Sequence, residues 1–368
     1  MDIADFALER YFARWEFAAK YVLCASDVEP MSMSELLVLA DDDARGRWDS
    51  LRLGYTESLG LPALRSEIAA LYPGLTPDDV ITFAGAEEGV YVGMHALLDA
   101  GDHAVVVWPA YQSLYEVARS IGASVTFVPL DPRGWTLDVD AVAAAMRPNT
   151  RVIVINFPHS PTGAQLDAEQ FARLTAMAEL HGVHLLSDEV YRFLEHDAPR
   201  LPTAAETTDR GVSLGVMSKA FGLAGVRIGW IATRDRALRA RLAALKDYTT
   251  ICNSAPSEIL ALIALRAKDR LVARAGAIVR SNLAVLDQFF AANADRFRWN
   301  RPRAGSVCFP ELLGGEVDAF SAALVEREGV LLLPASQFGY RGNNFRLGFG
   351  RRDMPDGLAR LEAFARQS

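Results

Sequence analysis

Two stretches carry side chains whose types and spacing suit bond-making at carbon. In SKAFGLAGVRIGW, residues 218–230, Lys219 is followed by glycines and, eight residues on, by Arg227, before an apolar, strand-like run. Upstream, SDEVYRFL, residues 187–194, offers an acid at Asp188 and a phenol at Tyr191. A lysine amine can condense with an aldehyde and then act as a base. A carboxylate can keep a proton on a ring nitrogen, so that the ring accepts an electron pair. Taken singly, Lys219 also reads as a solvated lysine and Asp188 as a helix cap, since most charged residues are simply exposed. The two stretches together carry the chemical reading.

Together they resemble the cofactor site of the class I and II aminotransferase family, the fold type I enzymes that use pyridoxal 5'-phosphate. The resemblance puts Lys219 in the place of the Schiff-base lysine, Asp188 at the ring nitrogen and Tyr191 at the phenolic oxygen. It makes Ser218 and Arg227 phosphate ligands, and an arginine's planar fork suits a phosphate. Val216, three residues before the lysine, stands where relatives often have a phosphate-binding serine, and cannot donate.

The rest of the implied site is scattered along the chain. LGYTESLGLPALRSEIAALY resembles the segment whose tyrosine, here Tyr55, reaches across a dimer interface to the neighbouring subunit's cofactor phosphate. Gly85, Ala86 and Glu87 open a helix after a short strand. A glycine lets backbone approach an anion, and free amides at a helix start favour phosphate, so these three read as backbone contacts. WPAY presents Tyr111 where the family stacks an aromatic ring on the cofactor, although a tyrosine there also serves as packing. NFPHSPTG resembles the family's Asn-Pro-x-Asn-Pro-Thr-Gly turn, with Ser160 where an asparagine would bond the phenolic oxygen. His159 beside it reads equally as a pocket or a surface residue. Arg346 in FRLGFG matches the arginine that grips the substrate's α-carboxylate. Asp27 and Glu29 read as contacts for a cationic substrate group or as solvated acids; Arg351 and Arg352 read as solvated neighbours of Arg346.

The elements that must position these residues alternate. Strand patterns at 80–83, 104–108, 124–129, 151–156, 183–187 and 211–217 are interleaved with helical ones, which argues for a largely parallel sheet covered by helices. The resemblance implies an α/β fold of type I: a three-layer αβα large domain with a mostly parallel seven-stranded sheet, plus a smaller α+β domain. Residues 1–48 read as an N-terminal arm and part of the small domain, 49–270 as the large domain and 271–368 as the C-terminal small domain. Helices are expected over 3–23, 236–249 and 257–293, the last bending at Gly276. Ser32 and Ser34 are equal candidates to cap the helix that follows them, and Asp167 with Gln170 fits a capping box.

Composition bounds the function. With 368 residues, 51% of them hydrophobic, and a formal charge of −8, the chain has ample core and no electrostatic footprint for nucleic acid. Three cysteines without a CxxC pair fit neither a disulfide framework nor a metal site, and a reducing cytoplasm is the simplest setting. No apolar stretch is long enough to span a bilayer, and no basic, signal-like leader is apparent. Histidines are scattered, so no metal is expected. The resemblance implies a homodimer with shared sites and ping-pong transfer of an amino group from an L-amino acid to a 2-oxo acid. A lyase, cyclase or oxidase acting on an amino acid is the alternative, since FALERYFARWEFAA and NFPHSPTG also resemble antibiotic-pathway enzymes that modify arginine derivatives. A non-catalytic regulator built on this fold is the reading from a different class; the retained lysine, aspartate and two arginines argue against it.

Overall fold

The structure is a computed structural model describing residues 2–367. Its centre is a seven-stranded sheet of β1 (Val80–Phe83), β2 (His103–Trp108), β3 (Ser124–Pro129), β4 (Thr150–Asn156), β5 (His184–Asp188), β6 (Gly211–Val216) and β7 (Gly229–Ala232), in the order β1-β7-β6-β5-β4-β2-β3. The pairings from β3 across to β6 are parallel. Strand β7 runs antiparallel to both β6 and β1. A parallel return needs a crossover, usually a helix. Between β6 and β7 there is only the 3₁₀ turn Ala224–Val226, so the chain doubles back.

Parallel strands are covered on both faces and read as continuous apolar runs. Successive side chains of these strands enter opposite layers. Val105, Val107, Ile153, Ile155 and Leu185 pack in one cluster. Ala104, Val106, Val152, Val154 and Leu186 pack in the other, against the helix Ala86–Leu97. Register then aligns the strand ends, with Asn156 opposite Asp188 and Asp188 opposite Leu214. The carboxyl ends of β4, β5 and β6 therefore share one edge, where open α/β sheets bind ligands.

The C-terminal part contains β8 (Phe297–Arg298) paired with β10 (Glu311–Leu312), and a second sheet of β9 (Val307–Cys308), β11 (Leu333–Pro334) and β12 (Phe345–Gly348) in the order β11-β12-β9. The helices Lys268–Ala292, Val317–Glu328 and Met354–Ala365 accompany them. The N-terminal segment joins this part: Tyr21 bridges Val330, and the Gly348 amide donates to the Leu23 carbonyl at 2.7 Å.

Several expected boundaries move, each for a local reason. The first helix covers only Ala7–Trp15, because the chain beyond it turns to pair at Tyr21. The long helix expected at 257–293 is two, Ala255–Arg266 and Lys268–Ala292, broken at Ala267 rather than bent at Gly276. Arg266 fixes the end of the first by pairing with Asp41, Asp43 and Glu67 at 3.0, 2.9 and 3.1 Å. The helix from Arg236 stops at Lys246, whose ammonium donates to the Ser58 carbonyl. Ser32, not Ser34, caps Met33–Leu37, with Glu35 returning the bond to its backbone amide. Asp167 and Gln170 form the expected capping box.

Candidate active site

A cavity of ≈ 390 Å³ opens at the edge where β4, β5 and β6 end. Asp188, Tyr191, Ser218, Lys219, Ser160, Tyr111, Ala86, Glu87, Arg227 and Arg346 all line it. Residues spread over more than two hundred positions thus converge: Ser160, Asp188, Tyr191, Ser218 and Lys219 lie at or after the ends of β4, β5 and β6, Tyr111 follows β2, Ala86 and Glu87 follow β1, and Arg346 comes from β12.

Of the chain's four lysines, Lys219 alone lines this cavity among the described residues. Its ammonium donates to the Ser26 hydroxyl at 2.7 Å and sits 5.5 Å from the centre of the Tyr191 ring. Asp188 ends β5, 6% exposed, with one oxygen accepting from the Val190 amide at 3.1 Å. Burial pushes its carboxyl up to about 6, against the Val190 amide and the Lys219 charge. Asn156 braces the neighbouring turn: its amide nitrogen donates to the Asp188 carbonyl at 2.9 Å, and its oxygen accepts from the Ser160 amide at 2.8 Å. The Ser160 side chain reaches the cavity from this braced turn. His159 is neither a pocket nor a surface residue. It is 1% exposed, bonded through Nδ1 to the Thr162 hydroxyl at 2.8 Å, and burial pushes it down to about 3.

Gly85 and Arg227 form an anion cradle. Gly85 precedes the helix Ala86–Leu97 at φ 93°, and a Cβ on it would lie 2.5 Å from an Arg227 terminal nitrogen. Arg227 is left-handed at φ 55°, a conformation non-glycine residues rarely adopt, and donates to the Ala224 carbonyl at 3.0 Å. A strained cation beside a helix start and a glycine is suited to hold phosphate against the first-turn amides. Val216 adds only an aliphatic wall. The Glu87 side chain, as well as its backbone, belongs to the site: its carboxyl accepts from the Ser113 hydroxyl at 3.1 Å, and burial raises it to about 7.

On the opposite wall, Arg346 is 3% exposed on β12. Its Nε donates to the Cys24 carbonyl at 3.1 Å, and its guanidinium lies 5.8 and 5.6 Å from the ring centres of Phe12 and Phe338. Its two terminal nitrogens have no hydrogen-bond partner among the described residues, which leaves a fork for a carboxylate. Arg351 is not a solvated neighbour. It lines the cavity and grips Asp27 with bonds of 2.9 Å to each carboxylate oxygen. Glu29 instead accepts from the Arg352 amide. Tyr55 is 93% exposed and outside the cavity of its own chain.

The N-terminal helix, expected as an arm and part of the small domain, also forms a wall of the cavity. Leu8, Glu9, Phe12 and Glu16 line the cavity, and Tyr111 donates to Glu9 at 3.0 Å while its ring meets Phe6 at 5.0 Å. The signal was present as acids at helical spacing inside an aromatic stripe. Ser26, the partner of Lys219, had no comparable signal.

Residues 44–359 match the family described as aminotransferase class I and II. The chain belongs to this family. Over 98% of its length and 92% of the other protein's, it is 33% identical to capreomycidine synthase from Streptomyces vinaceus. A PLP-dependent aminotransferase from Streptococcus suis superposes with a TM-score of 0.93 at 29% identity, covering 100% of this chain and 99% of that one. The PLP-dependent cyclase OrfR superposes at 0.91 with 30% identity, covering 100% and 98%. Among the described residues, no helix is long and apolar enough to cross a membrane.

The cofactor of this class I and II enzyme is pyridoxal phosphate, and the residues present fit it. Asp188 is a buried carboxylate without a close cationic partner, which a protonated ring nitrogen would supply. Gly85, Ala86 and Arg227 make a cradle a side chain at Gly85 would fill. A carboxyl whose folded value lies above its unfolded one destabilises the fold as pH rises through that window. For Asp188 the window runs from the ordinary 3.8 to about 6. Cofactor-free Asp188→Asn should therefore gain stability over the parent as pH rises from 4 to 7, by up to about 3 kcal/mol. Urea unfolding at both pH values, with cofactor titration, checks this; the same substitution should weaken cofactor binding.

Proposed function

We propose that this chain converts an L-α-amino acid using pyridoxal phosphate, Lys219 acting as the proton carrier at Cα and Arg346 as the α-carboxylate clamp. The observation that carries the reading is the convergence of Lys219, Asp188 and Arg346 on one cavity. Bound there, the cofactor supplies an electrophilic carbon for the substrate amine and a ring that delocalises the electron pair left at Cα. The protein's own residues do the rest. Arg346 orients the substrate through a bidentate pair. Asp188 keeps the ring nitrogen protonated. Tyr191 and Ser160 offer hydroxyls to the phenolic oxygen, and Arg227, Ser218 and the amides of Ala86 and Glu87 hold the phosphate. Lys219, whose ammonium donates to Ser26, would take the α-proton and redeliver it.

Transamination to a 2-oxo acid is the first reading, supported by the aminotransferase family match over residues 44–359. Cyclisation of the amino acid is the second. It is supported by similarity to capreomycidine synthase along 98% of the chain, N-terminal helix included. A homodimer is part of the proposal, since Tyr55 is fully extended into solvent on a chain that leaves its own cavity without it. The three free cysteines suit a reducing cytoplasm.

Single-turnover challenge of the cofactor-loaded protein with a panel of L-amino acids, with mass analysis of cofactor and product, decides between the two readings. Transamination yields pyridoxamine phosphate and a 2-oxo acid; recovery of pyridoxal phosphate with a cyclised product selects the second. The shared site is tested by mixing Tyr55→Ala with Lys219→Ala protein under subunit exchange. Activity above the sum of the two variants is expected, because a hybrid dimer restores one intact site; strict additivity would leave each site within one chain.

A further inference from the structure

The turn that leaves β5 borders two cavities. Asp188, Val190 and Tyr191 line the large one, while Ser187, Glu189 and Arg192 line a second, of ≈ 20 Å³. The turn therefore sorts into pairs three residues apart, Asp188 with Tyr191 in front and Glu189 with Arg192 behind. The cofactor chemistry uses only the front pair.

Both members of the rear pair are tied to other elements. One Glu189 oxygen accepts from the Ala204 amide at 3.0 Å and from the Ser213 hydroxyl at 2.9 Å, which joins the turn to β6 and to the short helix Ala204–Thr207. Arg192 donates from a terminal nitrogen to the Leu201 carbonyl at 2.7 Å and from its amide to the Glu189 carbonyl at 2.8 Å. One polar atom of each is left over. The second Glu189 oxygen, on a residue 6% exposed, and the Arg192 Nε are both buried with no hydrogen-bond partner among the described residues. Burial pushes Glu189 up to about 7, and the Arg192 charge is the strongest influence drawing it back, so the two groups sense one another. A buried donor and a buried acceptor left unmade are costly. A water needs about 10–15 Å³ and two or more polar partners, and the second cavity offers both. Such a water donates to the carboxylate and accepts from Nε–H, which satisfies the two atoms at once.

We propose that one ordered water bridges Glu189 and Arg192 in this second cavity, and that the bridged pair is the positioning device for Asp188 and Tyr191. Each rear residue directly follows a front one in the chain, so a shift of Glu189 or Arg192 carries Asp188 or Tyr191 with it. The water site stands on the cavity and its orphaned atoms; the positioning role rests on the reading of Asp188 and Tyr191 as partners of the cofactor.

A high-resolution crystal structure of the full chain is expected to show one water within hydrogen-bond distance of the free Glu189 oxygen and of Arg192 Nε. A dry cavity, or a direct contact between the two side chains, would overturn the bridge. Positioning is read from the pH midpoint of the absorbance change in the cofactor-loaded protein. A hydroxyl donating to the phenolic oxygen favours its anionic form, so a displaced Tyr191 lets the bound cofactor keep its proton to higher pH. Glu189→Gln keeps an acceptor for Ala204 and Ser213, and should raise the midpoint by roughly 0.5–1 pH unit, the worth of one weakened hydrogen bond. Loss of a nearby negative charge alone would lower it, so the sign separates positioning from plain electrostatics. Arg192→Lys keeps the charge but moves the donor, and should raise the midpoint likewise; it carries the test if the first variant does not fold. A midpoint unchanged in both variants, or lowered in Glu189→Gln, would overturn the positioning role even if stability to urea fell. A parent that binds no pyridoxal phosphate would sink the cofactor reading and the positioning role with it, the water site being decided separately by the crystal structure.

Discussion

A carboxylate buried at the end of a strand, with a backbone amide as its one hydrogen-bond donor, is the constraint that organises this molecule. Asp188 is carried there by β5, and burial alone lifts its carboxyl to about 6. Removing a charge from water is expensive unless a partner of opposite sign arrives. Among the described residues no cation forms an ion pair with it, and the Lys219 ammonium, whose charge draws the carboxyl down, donates to Ser26 instead. A protonated ring nitrogen would supply the missing partner, and on the proposed reading this would tie the cofactor's chemistry to the stability of that edge.

That edge exists because β4, β5 and β6 are parallel and in register. The Asn156 side chain, reaching from β4 to the Asp188 carbonyl and to the Ser160 amide, joins two of the strand ends and the turn between them. The antiparallel return of β7 then brings Gly229 against the backbone of Gly85 and Ala86, where a Cβ would lie 2.6 Å from either, so the phosphate cradle is packed directly on the sheet. Another wall of the cavity has a different source, the N-terminal helix and β12, which meet where the Arg346 guanidinium lies 5.8 Å from the Phe12 ring centre.

This division explains what could be read from the sequence. The sheet was legible because fully buried parallel strands leave continuous apolar runs such as AVVVW and RVIVIN, and the convergence of Ser160, Asp188 and Lys219 on one cavity because local motifs fix them just after strand ends. Side-chain roles set by distant partners were not. Arg351 looked solvated until Asp27, 324 residues away, was seen to hold it. His159 has no local feature announcing that it would be buried, and Ser26 none announcing Lys219. The N-terminal helix is shorter than its pattern because pairing of Tyr21 with Val330 overrides it, and its aromatic stripe lines a cavity, which only the distant partners reveal.

The central claim is that Lys219, and no other lysine, bonds covalently to the cofactor. The chain has only three others, Lys20, Lys246 and Lys268. Lys246 is buried against the Ser58 carbonyl, and none of the three lines the cavity. Borohydride reduction of the pyridoxal-loaded protein followed by peptide mass mapping reads the attachment point directly. The account expects the added mass on the peptide containing Lys219, stoichiometric and absent from Lys219→Ala. Attachment at any other lysine, or no stable attachment, would contradict it.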